Sequence, residues 1–200
     1  MPISSRRYLL IYEDVVKYLE FNERGFCMEK KIISLASLGT KNFTVYLDEV
    51  SLKNGKLSKR ICIDHPQAAA IVPFVSDNEI IMVRQYRYAL KKETLEIPAG
   101  KIDKGESPEQ CIKRELLEET GFKANLVTWL YTYAPAIGYS NELIHLYVGR
   151  DLVKQDTMID EDEISSLEVL SLEGVLGMIR NNEIIDSKTI IALAFIRSLV

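Results

Sequence analysis

"GKIDKGESPEQCIKRELLEETGF", residues 100–122, decides how this chain is read. Its centre is a well-marked helix. Ser107-Pro108-Glu109-Gln110 places serine at the N-cap, proline at the first helical position and glutamine at the third, a capping-box pattern. Gly121 is a natural residue to close the helix in a left-handed conformation, so the signals predict a helix over 108–120. Ile112 and Leu116, four apart, supply a buried edge. Glu115, Glu118 and Glu119 lie beside that edge at i, i+3, i+4 spacing. Like charges so spaced repel, and the helix dipole disfavours anions near the C-terminus. Only Arg114 stands nearby, so the acids read as largely unpaired, at a cost of ~1–2 kcal/mol.

Two readings follow. The acids form a solvated helix face, or they hold a hard divalent cation that removes the repulsion. Magnesium prefers carboxylate oxygens and commonly bridges to substrate phosphates. Helix spacing alone leaves both open.

The rest of the chain sets the frame. Its 200 residues suit one domain with a sizeable core, or one domain plus an extension. Apolar residues make up 47% and charged residues 27%, an ordinary globular composition. A net charge of −4 argues against nucleic acid as a partner, though not against a small phosphorylated ligand held by a few arginines. Cys27, Cys62 and Cys111 form neither a disulfide framework nor a cysteine zinc motif. No run is long and apolar enough for a membrane helix and no secretory pattern is visible, so a cytoplasmic setting without a membrane partner is expected.

Residues 1–25 carry amphipathic spacing and read as a short helix. Residues 31–52 are rich in β-branched and aromatic residues and read as strands, followed by a hairpin turn at "KNGK". "AAAIVPFV", "EIIMVRQYRY", "NLVTWLYTYA" and "LIHLYVGRDL" read as further strands. The end of the chain reads as two helices, the second capped by Asp186 or Ser187. Hairpins mixed with helices predict an α+β protein with a mixed sheet, not a doubly wound parallel one.

The quoted run also fits the pattern G-x5-E-x7-R-E-U-x-E-E-x-G-U, where U is aliphatic or aromatic. Gly100, Glu106, Arg114, Glu115, Leu116, Glu118, Glu119, Gly121 and Phe122 fill all nine fixed positions. This resembles the Nudix box. "HPQAAAIVPF", "VRQYRYALKKETLEIPAGKIDKGE", "GYSNELIHLY" and "DEDE" extend the similarity over roughly residues 43–195, toward the ADP-ribose pyrophosphatase branch of that superfamily.

The resemblance implies an α/β/α sandwich at residues 58–200. A β-rich N-terminal extension at 1–57 would serve as a dimerisation element, making a homodimer. It implies a hydrolase that uses Mg2+, or Mn2+, to cleave ADP-ribose into AMP and ribose 5-phosphate. Glu115 and Glu119 would be the main metal ligands, Glu118 an additional one with a catalytic role, and the Ala99 carbonyl the backbone ligand. Arg114 and Glu106 would orient the helix acids, and Gly100 and Gly121 complete the box. Arg87 and Arg84 would contact the pyrophosphate, where a guanidinium binds bidentately. Glu142 would face the substrate. In the acidic run 156–164, Glu161 would be the general base, with Glu163 the second choice.

One departure stands out. Ile137 occupies a position before Gly138 where that branch often has proline, and Pro135 comes two residues earlier. That keeps another nucleoside diphosphate sugar open as the substrate, alongside a nucleotide-binding module that has lost catalysis.

Overall fold

Residues 29–64 carry β-branched and aromatic residues between two turn signals, and they form three antiparallel strands. These are β1 (Glu29–Gly39), β2 (Thr44–Leu52) and β3 (Leu57–Asp64). The computed structural model describes residues 28–156 and 164–198; the helix expected in residues 1–25 lies outside them. The described chain divides into two units, one running up to Asp64 and one starting at His65. In the first unit the β2–β3 turn uses Gly55 at φ 78°. Asp48 is fixed by the Ser34 hydroxyl at 2.6 Å and by Lys31 at 2.9 Å. The same sheet leaves Ile32, Ile33, Leu35, Leu38 and Ile61 exposed.

The second unit holds β4 (Ala68–Pro73), β5 (Glu79–Arg87), β6 (Lys92–Glu96), β7 (Ala99–Lys101), β8 (Phe122–Tyr133), β9 (Ile144–Lys154) and β10 (Ser166–Ser171). Its helices are α1 (Pro108–Thr120), α2 (Leu172–Arg180) and α3 (Ser187–Ser198). One sheet runs β7-β4-β9-β8, with β4 and β9 parallel and the other pairs antiparallel. A smaller antiparallel sheet runs β10-β5-β6. The unbroken apolar run of β4 is what a strand buried on both faces requires.

Alternation along β4 and β9 divides the core. Ala69, Ile71 and Tyr147 face α1 and pack with Cys111, Ile112 and Leu116. Ala70, Val72, Ile144 and Leu146 point the other way. They pack with Val175, Ala192 and Leu193 of α2 and α3, with Ile80, Met82 and Leu95 of the second sheet, and with Ile97 just after β6. This is the expected α+β sandwich with a mixed sheet. β4 pairs Ala69 with Gly100 of β7 on one side and with His145 of β9 on the other, which brings the quoted run to one edge of the sheet.

Candidate active site

The helix forms where its caps predict. Ser107 Oγ accepts from Gln110 N, and the Gln110 side chain accepts from Ser107 N. Gly121 closes the helix at φ 74° with its N–H on the Leu117 carbonyl. Cys111, Ile112 and Leu116 bury one face against β4 and β9, worth roughly 1.5–3 kcal/mol for each large side chain.

The acids beside that face are not unpaired, which corrects the sequence expectation. Arg114 Nη1 sits 2.7 Å from Glu115 Oε1 and 3.0 Å from Glu118 Oε2. Its Nε and Nη2 grip both oxygens of Glu106, each at 3.0 Å. One long planar side chain thus serves three carboxylates, a reach that i, i+4 counting on the helix does not capture. The hydrogen bonds that Arg114 donates hold the Glu106 carboxyl below its usual range, and donating them to Glu106 raises Arg114 in turn. Glu119 is buried at 3% exposure. Its two oxygens accept from Gln85 Nε2 at 3.1 Å and from Ala99 N at 3.0 Å.

Gly100 makes room for this arrangement. A Cβ there would lie 1.9 Å from the Glu115 carboxylate carbon, so the acid occupies space that only glycine leaves open. Cys111 beneath it donates toward the Lys101 carbonyl at 3.3 Å. Burial, then Glu115 and Glu106, push its thiol up to about 12, which keeps it an inert packing group.

A cleft of about 520 Å3 opens beside these groups, lined among others by Gln85, Arg87, Ala99, Gly100, Arg114 and Glu115. Arg87 reaches it from β5 with its guanidinium forked on Glu96, Nε to Oε1 at 2.7 Å and Nη2 to Oε2 at 2.5 Å. Arg84 is turned to Glu168 of β10, to whose Oε1 its Nε and Nη2 donate at 2.9 and 2.6 Å. Glu142 lies 3.4 Å from His65 Nδ1. Glu161 and Glu163 lie outside the described residues.

A family model for the NUDIX domain matches residues 64–193. The chain belongs to the Nudix family. It is 43% identical over 153 residues to a methanol dehydrogenase activator of Bacillus methanolicus, covering 76% of this chain and 83% of that one. It is 35% identical over 171 residues to an ADP-ribose pyrophosphatase of Bacillus subtilis, covering 84% and 92%. A crystal structure of an ADP compounds hydrolase superposes with a TM-score of 0.72 at 26% identity, covering 88% of this chain and 96% of that one. These relatives put the protein among the Nudix hydrolases, in the ADP-ribose pyrophosphatase branch.

The Nudix box residues Gly100, Glu106, Arg114, Glu115, Glu118 and Glu119 come together at one corner, with the Ala99 backbone and Arg87 beside them. Sequence reasoning singles out neither Gln85 nor Glu96. Glu96 carried a signal, an acid between apolar Leu95 and Ile97, whereas Gln85 stands between Arg84 and Tyr86 and carried none; both are buried, Gln85 at 6% and Glu96 at 2%.

Proposed function

We propose that this Nudix protein is a divalent-metal-dependent pyrophosphohydrolase that cleaves ADP-ribose into AMP and ribose 5-phosphate. The observation that carries the reading is the carboxylate corner at Gly100, where Glu115 and Glu118 both face one cationic nitrogen beside a cleft entered by Arg87.

The residues fit magnesium or manganese by donor chemistry. Glu115, Glu118, Glu119 and the Ala99 carbonyl offer only hard oxygens. Among the described residues no group of three acids, histidines or cysteines is already arranged to hold an ion. Arg114 holds Glu115 and Glu118 in the meantime, and Glu118, half exposed, has room to turn. A bound divalent ion supplies charge neutralisation at the phosphates and lowers the pKa of water. Arg87 binds and orients the pyrophosphate, with Arg84 a second contact and Glu142 on the substrate side. Glu161, or failing it Glu163, accepts the proton from the attacking water.

The protein works as a homodimer built through the N-terminal sheet and acts in the cytoplasm. The exposed Ile32, Ile33, Leu35 and Leu38 of β1 support the first point, because such a row on a strand favours burial against a partner. Light scattering of the full chain at twice the monomer mass would bear it out; a monomer would contradict it.

A second reading is favoured by the 43% identity to a dehydrogenase activator: hydrolysis of a nucleoside diphosphate compound in the service of a dehydrogenase. A panel of nucleoside diphosphate derivatives with magnesium, with products identified by mass, decides the substrate. AMP and ribose 5-phosphate from ADP-ribose, at the highest kcat/KM of the panel, is the expected result. A nucleotide sugar ranking first would move the assignment, and ligand binding without turnover would reduce the protein to a binding module.

A further inference from the structure

The last helix reaches the cleft through a buried ion cluster. Glu96 accepts four hydrogen bonds: Arg87 Nε and Thr94 Oγ1 on Oε1, at 2.7 and 2.5 Å, and Arg87 Nη2 and Lys188 Nζ on Oε2. That fills the acceptor capacity of a carboxylate. Lys188, in the first turn of α3 and 7% exposed, also lies 3.0 Å from Asp186 Oδ1. Asp186 caps α3 by accepting from Thr189 N at 3.1 Å and Thr189 Oγ1 at 2.6 Å. The Thr189 hydroxyl in turn accepts from Ile97 N at 3.0 Å, two residues before the Ala99 carbonyl. Two cations and two carboxylates leave the cluster neutral. Of the four, Arg87 enters the cleft, with Nη1 outside the fork on Glu96.

We propose that Glu96 and Lys188 are positioning residues for anion binding: Glu96 fixes the guanidinium of Arg87, and Lys188 supplies the second positive charge that leaves Arg87's own charge to the substrate's phosphates. Without Lys188, two carboxylates would face one guanidinium, and a net negative charge would stand behind a cleft that takes a polyanion. Without the charge of Asp186, the balance would tip the other way. The inference rests on the assignment of Arg87 to the pyrophosphate.

The test is calorimetric titration of the full chain with inorganic pyrophosphate, without metal, together with KM and kcat for ADP-ribose with magnesium. Lys188→Met should weaken pyrophosphate binding about tenfold and raise KM alike, with kcat within about threefold, because the lost field acts on ground and transition states equally. Asp186→Asn keeps a capping side chain and should tighten pyrophosphate about threefold. A structural role would not produce opposite signs. Unchanged affinity in both variants overturns the proposal, as does a wild type that binds no pyrophosphate. If Lys188→Met fails to fold, Asp186→Asn decides: tighter binding supports the proposal, and equal or weaker binding overturns it. Wild-type turnover with unmoved affinities sinks this inference alone. Opposite shifts without wild-type turnover of any nucleoside diphosphate sink the functional reading and leave this one standing.

Discussion

The carboxylate of Glu115 lies where a side chain at residue 100 would begin: a Cβ on Gly100 would fall 1.9 Å from its carbon. Strand and helix acid approach this closely because β7 runs beside β4 while α1 packs on the same strand through Ile112 and Leu116. Gly100 is not in a left-handed conformation, so the need for glycine there is one of space.

Gly100→Ala should therefore act on the site more than on the fold. The methyl displaces the Glu115 carboxylate, the far end of a flexible side chain. Turnover should fall about 100-fold, the cost of misplacing a proposed metal ligand by an ångström. Stability should move by no more than about 1 kcal/mol. Steady-state kinetics beside a urea melt read both; full activity would show that Glu115 is not needed where it sits.

On the proposed metal assignment, magnesium should stabilise the protein by mass action through the folded acids. At ten times its dissociation constant the melting temperature should rise by ~3–6 °C. The Glu119→Gln variant should lose most of that rise. An equal rise in both proteins would place the ion elsewhere.

Stability should also depend on pH through His145. Its Nε2 meets Gln67 Oε1 at 2.8 Å and its Nδ1 meets Thr132 Oγ1 at 3.0 Å. The amide oxygen only accepts, so the neutral ring carries its proton on Nε2. Burial lowers this histidine to about 4. The unfolded ring, near 6.5, holds more protons between those values, so the contribution is full above pH 6.5 and is lost as pH falls toward 4, about 3 kcal/mol in all. Glu96 acts in a lower window. Burial raises its carboxyl, but Arg87, Lys188 and Thr94 outweigh that and hold it at about 2, so its contribution is lost from pH 4.5 downward. Urea melts of the wild type and His145→Asn should diverge between pH 7 and 4.5; parallel curves would contradict this.

For the proton acceptor, Glu161→Gln should lower kcat by at least tenfold more than Glu163→Gln. Single-turnover rates at fixed magnesium read the comparison, and the opposite order would move the base to Glu163.

The sequence made the carboxylate corner legible because its signals are local. The caps of α1 and the i, i+3, i+4 spacing of its acids have reasons within the helix, and the nine positions that resemble the Nudix box all lie within 23 residues. The longer strands were legible for the same reason. What escaped depends on tertiary pairing. β6, β7 and β10 are only 3–6 residues long and take their conformation from β5 and β4. The pairing of the helix acids was misread because Arg114 reaches back across a loop to Glu106 and sideways to Glu115. Glu96 and Lys188, 92 residues apart, meet only when α3 docks on the second sheet.

The most direct measurement is ADP-ribose hydrolysis by Glu119→Gln with saturating magnesium. Glu119 is buried against Gln85 and the Ala99 amide, and glutamine preserves its shape while removing its charge. Turnover should drop by at least ~10³-fold while circular dichroism stays that of the wild type. Wild-type turnover in that variant would contradict the assignment of the α1 acids to metal-dependent pyrophosphate cleavage.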